Sequence, residues 1–146
     1  MLELADAAAT MALGARLAAA AAPGDVIALW GGLGAGKTTL ARGFLRALGF
    51  AEEVPSPTFT LVQSYELANL MVWHFDLYRL VRPQEAWELG LEEALESGVA
   101  LIEWPERLGA LLPTDRLDVT LAETDGDRRS ATIEAHGTRR ARVAIA

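Results

Sequence analysis

The chain has 146 residues, 51% hydrophobic and 23% charged, with 13 Gly, 6 Pro and no Cys, the length of one domain at roughly 100–200 residues each. The missing cysteines exclude a disulfide scaffold and any thiolate-held metal. Twenty acidic against 13 basic residues give a net charge of −7, the wrong sign for a chain that grips a nucleic-acid backbone by itself. No apolar stretch reaches the roughly 20 residues of a membrane span. Glu3 and Asp6 stand where a secretory signal would be basic. The expectation is a soluble, cytoplasmic protein with no membrane partner.

Residues 6–21 suit a helix, with good helix formers throughout and apolar Met11, Leu13 and Leu17, stopped by Pro23-Gly24-Asp25. Val26-Ile27-Ala28-Leu29-Trp30 is the nearly all-apolar run of a buried parallel strand. A glycine-rich turn leads into a helix over 37–48, with Leu40, Phe44 and Leu48 on one face and Gly49 as its cap. Residues 51–64, with Pro55 and Pro57, read as a loop running into an extended stretch at 59–62. Residues 70–77 form a second strand and 83–95 an amphipathic helix split or bent near Gly90. Residues 99–102 form a third strand ending at Glu103. Leu117, Val119 and Leu121 then alternate with polar residues, Asp125-Gly126 makes a turn, and Thr132-Ile133-Glu134 begins a return strand. The order predicts one α/β domain over 1–146: a three-layer sandwich whose parallel central sheet carries antiparallel edge strands and a C-terminal hairpin.

The chemistry is concentrated in Gly31-Gly32-Leu33-Gly34-Ala35-Gly36-Lys37-Thr38, which matches the phosphate-binding pattern G-x-x-x-x-G-K-[ST]. Glycines let successive backbone N–H groups turn inward around an anion. The helix that follows directs its N-terminal dipole at the same point. Lys37 would reach the β- and γ-phosphates, and the Thr38 hydroxyl would ligate Mg²⁺. An apolar strand before the loop and a periodic helix after it supply the expected context and make the fold P-loop NTPase-type. Lys37 is also the single lysine among 13 basic residues, so an ammonium has a specific use there.

Hydrolysis needs carboxylates as well. Asp76 and Glu103 each end an apolar strand, and the carboxyl ends of parallel strands converge on the ligand crevice. One would hold Mg²⁺ and the other orient water; the sequence leaves the assignment open. Ser56-Pro57-Thr58-Phe59-Thr60 stands where a phosphate-sensing loop would. His74, among apolar and aromatic neighbours, reads as a packed strand residue rather than a catalytic base, and His136 gives no signal. A guanine-reading Asn-Lys-x-Asp motif is impossible with one lysine, so the nucleotide is ATP by elimination. A small-molecule kinase ranks last, because Arg79 and Arg82 are the only nearby pair to equip a lid.

These residues, together with Val54-Pro55-Ser56-Pro57-Thr58-Phe59-Thr60-Leu61-Val62, His74-Phe75-Asp76-Leu77-Tyr78-Arg79-Leu80 and Ile102-Glu103-Trp104-Pro105-Glu106, resemble the TsaE family of bacterial ATPases of tRNA threonylcarbamoyladenosine biosynthesis. The likeness runs from about Thr10 to the C-terminal hairpin. It implies a slow ATPase that serves threonylcarbamoylation of the adenosine beside the anticodon in tRNAs reading ANN codons. Its partners would be TsaB- and TsaD-type proteins, with tRNA contacted only through them, and its ATP cycle would remodel or reset their complex. On the family pattern, Gly31, Leu33, Gly34, Ala35, Gly36, Lys37, Thr38 and Thr39 cradle the phosphates. Thr38 and Glu103 face the metal, Asp76 and Thr58 serve the ATP cycle, and Thr10 and Arg129 lie around the adenosine. Trp104 stands beside the site. One departure is visible: the family has Gly-Asp-Leu-Gly where this chain has Gly31-Gly32-Leu33-Gly34. The alternative reading is a non-catalytic module whose bound ATP orders residues 56–60 for a partner.

Overall fold

The computed structural model describes residues 1–55, 60–67 and 70–137. In chain order the elements are β1 (Leu2–Leu4), α1 (Ala7–Ala20), β2 (Val26–Trp30), α2 (Lys37–Ala47), β3 (Val62–Leu67) and β4 (Leu70–Asp76). There follow α3 (Glu85–Glu88), α4 (Leu91–Ser97), β5 (Val99–Glu103), a 3₁₀ segment (Pro105–Leu111), β6 (Arg116–Glu123) and β7 (Arg129–His136). The strands make one sheet in the order β1-β7-β6-β2-β5-β4-β3. The inner four, β6, β2, β5 and β4, are mutually parallel, while β3, β7 and β1 pair antiparallel at the margins.

Side-chain parity divides the interior into two cores, because successive residues of a strand face opposite sides. Leu29, Leu101 and Val119 face α1 and α2, where they meet Leu13, Leu17, Leu40 and Phe44. Phe75, Ala100 and Ile102 face the other way, onto Leu91, Ala94 and Leu108. Each fully buried Leu, Ile, Val or Phe among them contributes roughly 1.5–3 kcal/mol. The same alternation puts His74, Asp76 and Glu103 on the α1/α2 side, since they share parity with Val72, Val99 and Leu101 of that core.

Helices α1 and α2 pack at backbone contact. A Cβ on Gly14 would lie 2.2 Å from the Leu40 carbonyl oxygen, and one on Gly43 2.1 Å from that of Met11. Two opposed glycines thus set the distance between α1 and the helix that follows the phosphate loop. The N-terminus of α1 is capped by Asp6, whose carboxylate accepts from the Ala9 amide at 2.9 Å.

Several elements differ from the sequence reading. β1 was not expected, because three residues with Glu3 in the middle carry no pattern; pairing with β7 makes it a strand. Residues 51–64 were expected as loop with an extended 59–62, yet a six-residue strand begins at Val62, antiparallel to β4. Its Gln63, Ser64 and Glu66 mask the apolar signal, as befits an edge. Of the two expectations for 83–95, split or bent near Gly90, the split one holds: two helices are separated by Gly90 at φ 93°. The first strand of the C-terminal hairpin is also a member of the parallel set. Among the described residues no helix is long and apolar enough to cross a membrane.

Candidate functional site

β2 ends at Trp30, and the chain turns through Gly31 (φ 144°), Gly34 (φ 76°) and Gly36 (φ 104°) before α2 begins at Lys37. These values suit glycine alone. Gly31 is crowded as well, since a Cβ there would lie 2.5 Å from the Leu121 carbonyl oxygen. Gly32 has open space around its Cβ position and no positive φ, so the loop does not require glycine at this position. α2 has no side-chain cap and no acidic residue in its first turn. Its leading amides therefore have no capping side chain of the helix itself and remain available to an anion.

Lys37 is 5% exposed. Its ammonium donates to the Gly31 carbonyl at 2.5 Å and the Gly32 carbonyl at 3.3 Å. It also lies 3.6 Å from the centroid of the Trp104 ring, a cation–π contact. Burial lowers its pKa from the usual lysine value, and the nearby charges of Glu103, Glu106 and Asp76 partly counter that shift. Trp104 is held at φ 59°, a left-handed conformation rare for a bulky residue. Its other neighbour is Tyr78, with ring centroids 4.8 Å apart.

Glu103 ends β5 beside the loop. The Thr38 hydroxyl reaches both its carboxylate oxygens, at 3.1 and 3.0 Å. The imidazole Nε2 of His74 lies 2.6 Å from Oε2. Asp76 is opposite Glu103 in the β4–β5 register, is buried, and accepts from the Tyr78 amide at 3.1 Å. Its own amide donates to the Leu61 carbonyl at 3.0 Å, with Leu61 held at φ 68°. The chain segment leading out of residues 56–60 is therefore tied to Asp76.

Leu33, Gly34, Ala35, Gly36, Lys37, Thr38, Thr39, Asp76, Glu103 and Arg129 all line one cleft of about 280 Å³. Gly31 lies behind it, under Lys37. Thr10, with Gly36, Thr39 and Arg129, lines a smaller cavity alongside. Arg129, on β7, donates from Nη2 to the Gly34 carbonyl at 3.0 Å and so spans from the hairpin to the loop. Thr58 falls outside the described residues. His74, expected as packing, is fully buried as expected but also bonded to Glu103. Its place two residues before Asp76, on the same strand face, was the signal available in the sequence. His136 pairs with Asp118 at 2.9 Å on the hairpin.

The family model described as "Threonylcarbamoyl adenosine biosynthesis protein TsaE" matches residues 4–131. The tRNA threonylcarbamoyladenosine biosynthesis protein TsaE of Bacillus subtilis (strain 168) is 41% identical over 131 residues, covering 89% of this chain and 82% of that one. Its namesake in Nostoc sp. is 42% identical over 135 residues, with the same coverage of both chains. A crystal structure of Bacillus subtilis YdiB superposes with a TM-score of 0.83 at 34% identity, covering 98% of this chain and 89% of that one.

Proposed function

This chain belongs to the TsaE family of threonylcarbamoyl adenosine biosynthesis proteins, and from that premise we propose that it is the ATP-hydrolysing member of the tRNA-modifying assembly. The observation that carries the reading is the junction of Thr38 with Glu103 at the mouth of the phosphate loop, with Asp76 opposite. Nucleotide binding alone needs the loop; a second buried carboxylate serves chemistry.

Loop amides and the α2 N-terminus hold the β- and γ-phosphates, and Lys37 leaves the Gly31 and Gly32 carbonyls for phosphate oxygens. A buried ammonium whose charge is poorly solvated gains most from that exchange. The donor set fits Mg²⁺: a hydroxyl and a carboxylate in contact, all oxygen, with the phosphates completing the coordination. No group of three or more acidic or histidine side chains that could hold a metal by itself occurs among the described residues. Thr38 and Glu103 would hold the ion, which would supply charge neutralisation to the phosphates. Asp76 then orients the attacking water, and Thr58 senses the γ-phosphate. Thr10 and Arg129 flank the nucleoside. The 146 residues act as one ATPase domain in the cytoplasm.

Partners of TsaB and TsaD type carry the tRNA contacts, which accommodates a net charge of −7. ATP hydrolysis remodels or resets their complex between rounds. The competing reading, a non-catalytic module ordered by ATP, has no task for Asp76 beside Glu103. A reconstituted threonylcarbamoylation reaction separates the two. With ATP, tRNA in excess over the complex is modified through many rounds. With a non-hydrolysable analogue, hydrolysis-dependent resetting limits modification to about one round per complex, whereas a binding module sustains turnover.

A further inference from the structure

His74 has no task in the reading above, yet it is fully buried and touches the site. Its position on β4 pairs it with Leu101 in the β4–β5 register, and Glu103 is the next residue of β5 on that face. The imidazole therefore lies beneath the carboxylate, on the side of the sheet interior. Its Nε2 meets Oε2 at 2.6 Å, while Thr38 meets both oxygens from the loop side. Glu103 is thus gripped between a residue of the rigid sheet and a residue of the nucleotide loop.

An ionised carboxylate only accepts, so in a neutral imidazole the proton sits on Nε2 and the bond is Nε2–H to Oε2. Nδ1 is then an acceptor, buried and without a hydrogen-bond partner among the described residues. A side chain present only to fill the core would be better apolar, since an unpaired buried polar atom is costly. The ring is oriented for Glu103. A free glutamate side chain samples many rotamers, and a ligand already fixed in one loses less entropy when it engages its target.

We propose that His74 is a positioning residue: its Nε2–H holds Glu103 in the rotamer that meets Thr38 and would face the metal. The inference rests on the reading of Glu103 as a metal-side carboxylate. Outer-shell partners of metal ligands typically change metal affinity by about 10–100-fold. The effect therefore appears in the Mg²⁺ requirement for tight ATP binding, independently of hydrolysis.

The test is ATP affinity by calorimetry across an Mg²⁺ titration and in EDTA, for wild type, His74→Leu, His74→Asn, His74→Gln and Glu103→Gln. Folding is checked by circular dichroism. Leu keeps bulk without a donor, Asn is too short to carry its amide to the Nε2 position, and Gln can place an N–H there. The expected result is an Mg²⁺ midpoint raised about 10–100-fold in Leu and Asn, an EDTA affinity unchanged, and substantial recovery in Gln. The inference is overturned if folded Leu and Asn variants keep the wild-type midpoint, if Gln is no better than Asn, or if Leu and Asn both fail to fold. If Glu103→Gln itself leaves the midpoint unchanged, the metal-side reading fails and this inference with it. A shift in Glu103→Gln with none in the His74 variants overturns this inference alone.

Discussion

The Thr38 hydroxyl lies 3.1 and 3.0 Å from the two carboxylate oxygens of Glu103, which joins the start of α2 to the end of β5. A bond that spans 65 residues of sequence is made because β2 and β5 are parallel neighbours, with Leu29 opposite Glu103. The phosphate loop leaving one strand thus meets the carboxylate ending the next. Thr38→Val, which keeps the shape and removes the oxygen, should lower Mg²⁺-dependent ATP hydrolysis by at least about 100-fold, as expected when a residue of a preorganised charge-stabilising site is lost. Nucleotide affinity in EDTA should change little. Steady-state hydrolysis and equilibrium dialysis check the two halves.

Arg129 joins the hairpin to the loop at the Gly34 carbonyl. A charge-assisted bond of this kind contributes about 1.5–3 kcal/mol. Part of that is lost to partial exposure, so Arg129→Ala should lower stability by about 1 kcal/mol and, with the Gly34 carbonyl no longer held, weaken ATP binding as well. Isothermal calorimetry beside a urea titration distinguishes lost affinity from lost stability.

The opposed glycines of α1 and α2 leave no room for a methyl group. Gly43→Ala should destabilise the fold by about 1–3 kcal/mol or more, since overpacking against backbone finds no flexible side chain to displace. Gly32→Ala, made as a control in the same loop-helix unit, meets open space and should cost far less. Chemical denaturation of both variants provides the comparison.

Tyr65 is buried against Phe50, with ring centroids 4.8 Å apart, and its hydroxyl has no hydrogen-bond partner among the described residues. Burial raises its pKa above the ordinary value of 10.0. Above pH 10 the unfolded chain therefore releases this proton before the folded one does, and the fold loses stability as pH climbs through the raised value. Below pH 10 this proton-linked part of the stability no longer changes with pH. Tyr65→Phe should flatten this alkaline decline and, by removing an unpaired hydroxyl, raise stability near neutrality by about 1 kcal/mol. Thermal melts from pH 7 to 11 read both effects.

What was legible in the sequence is what depends on local pattern. The apolar run at Val26–Trp30, the glycine spacing after it and the periodicity of Leu40 and Phe44 each determine their element without help from afar. Glu103 and Asp76 were found because strand ends converge on the crevice. β3 was missed because an edge strand has little apolar signal. β1 was missed because its pairing partner lies more than 120 residues along the chain, at Arg129–Ala131. His74 was read as packing for a related reason: its bond to Glu103 exists through the β4–β5 register, and in the sequence only its place two residues before Asp76 points to the site. The division of roles between Glu103 and Asp76 is likewise open in the sequence, and the contact of Thr38 with Glu103 supports the proposal that Glu103 is the metal-side carboxylate.

The most direct test of the account is single-turnover release of γ-phosphate from Mg·ATP with protein in excess, comparing wild type, Lys37→Ala and Glu103→Ala, and with GTP in parallel. ATP-selective release that both substitutions abolish is the expected result. Wild-type protein that binds ATP yet releases no phosphate, or a Glu103→Ala variant that releases it at the wild-type rate, would contradict it.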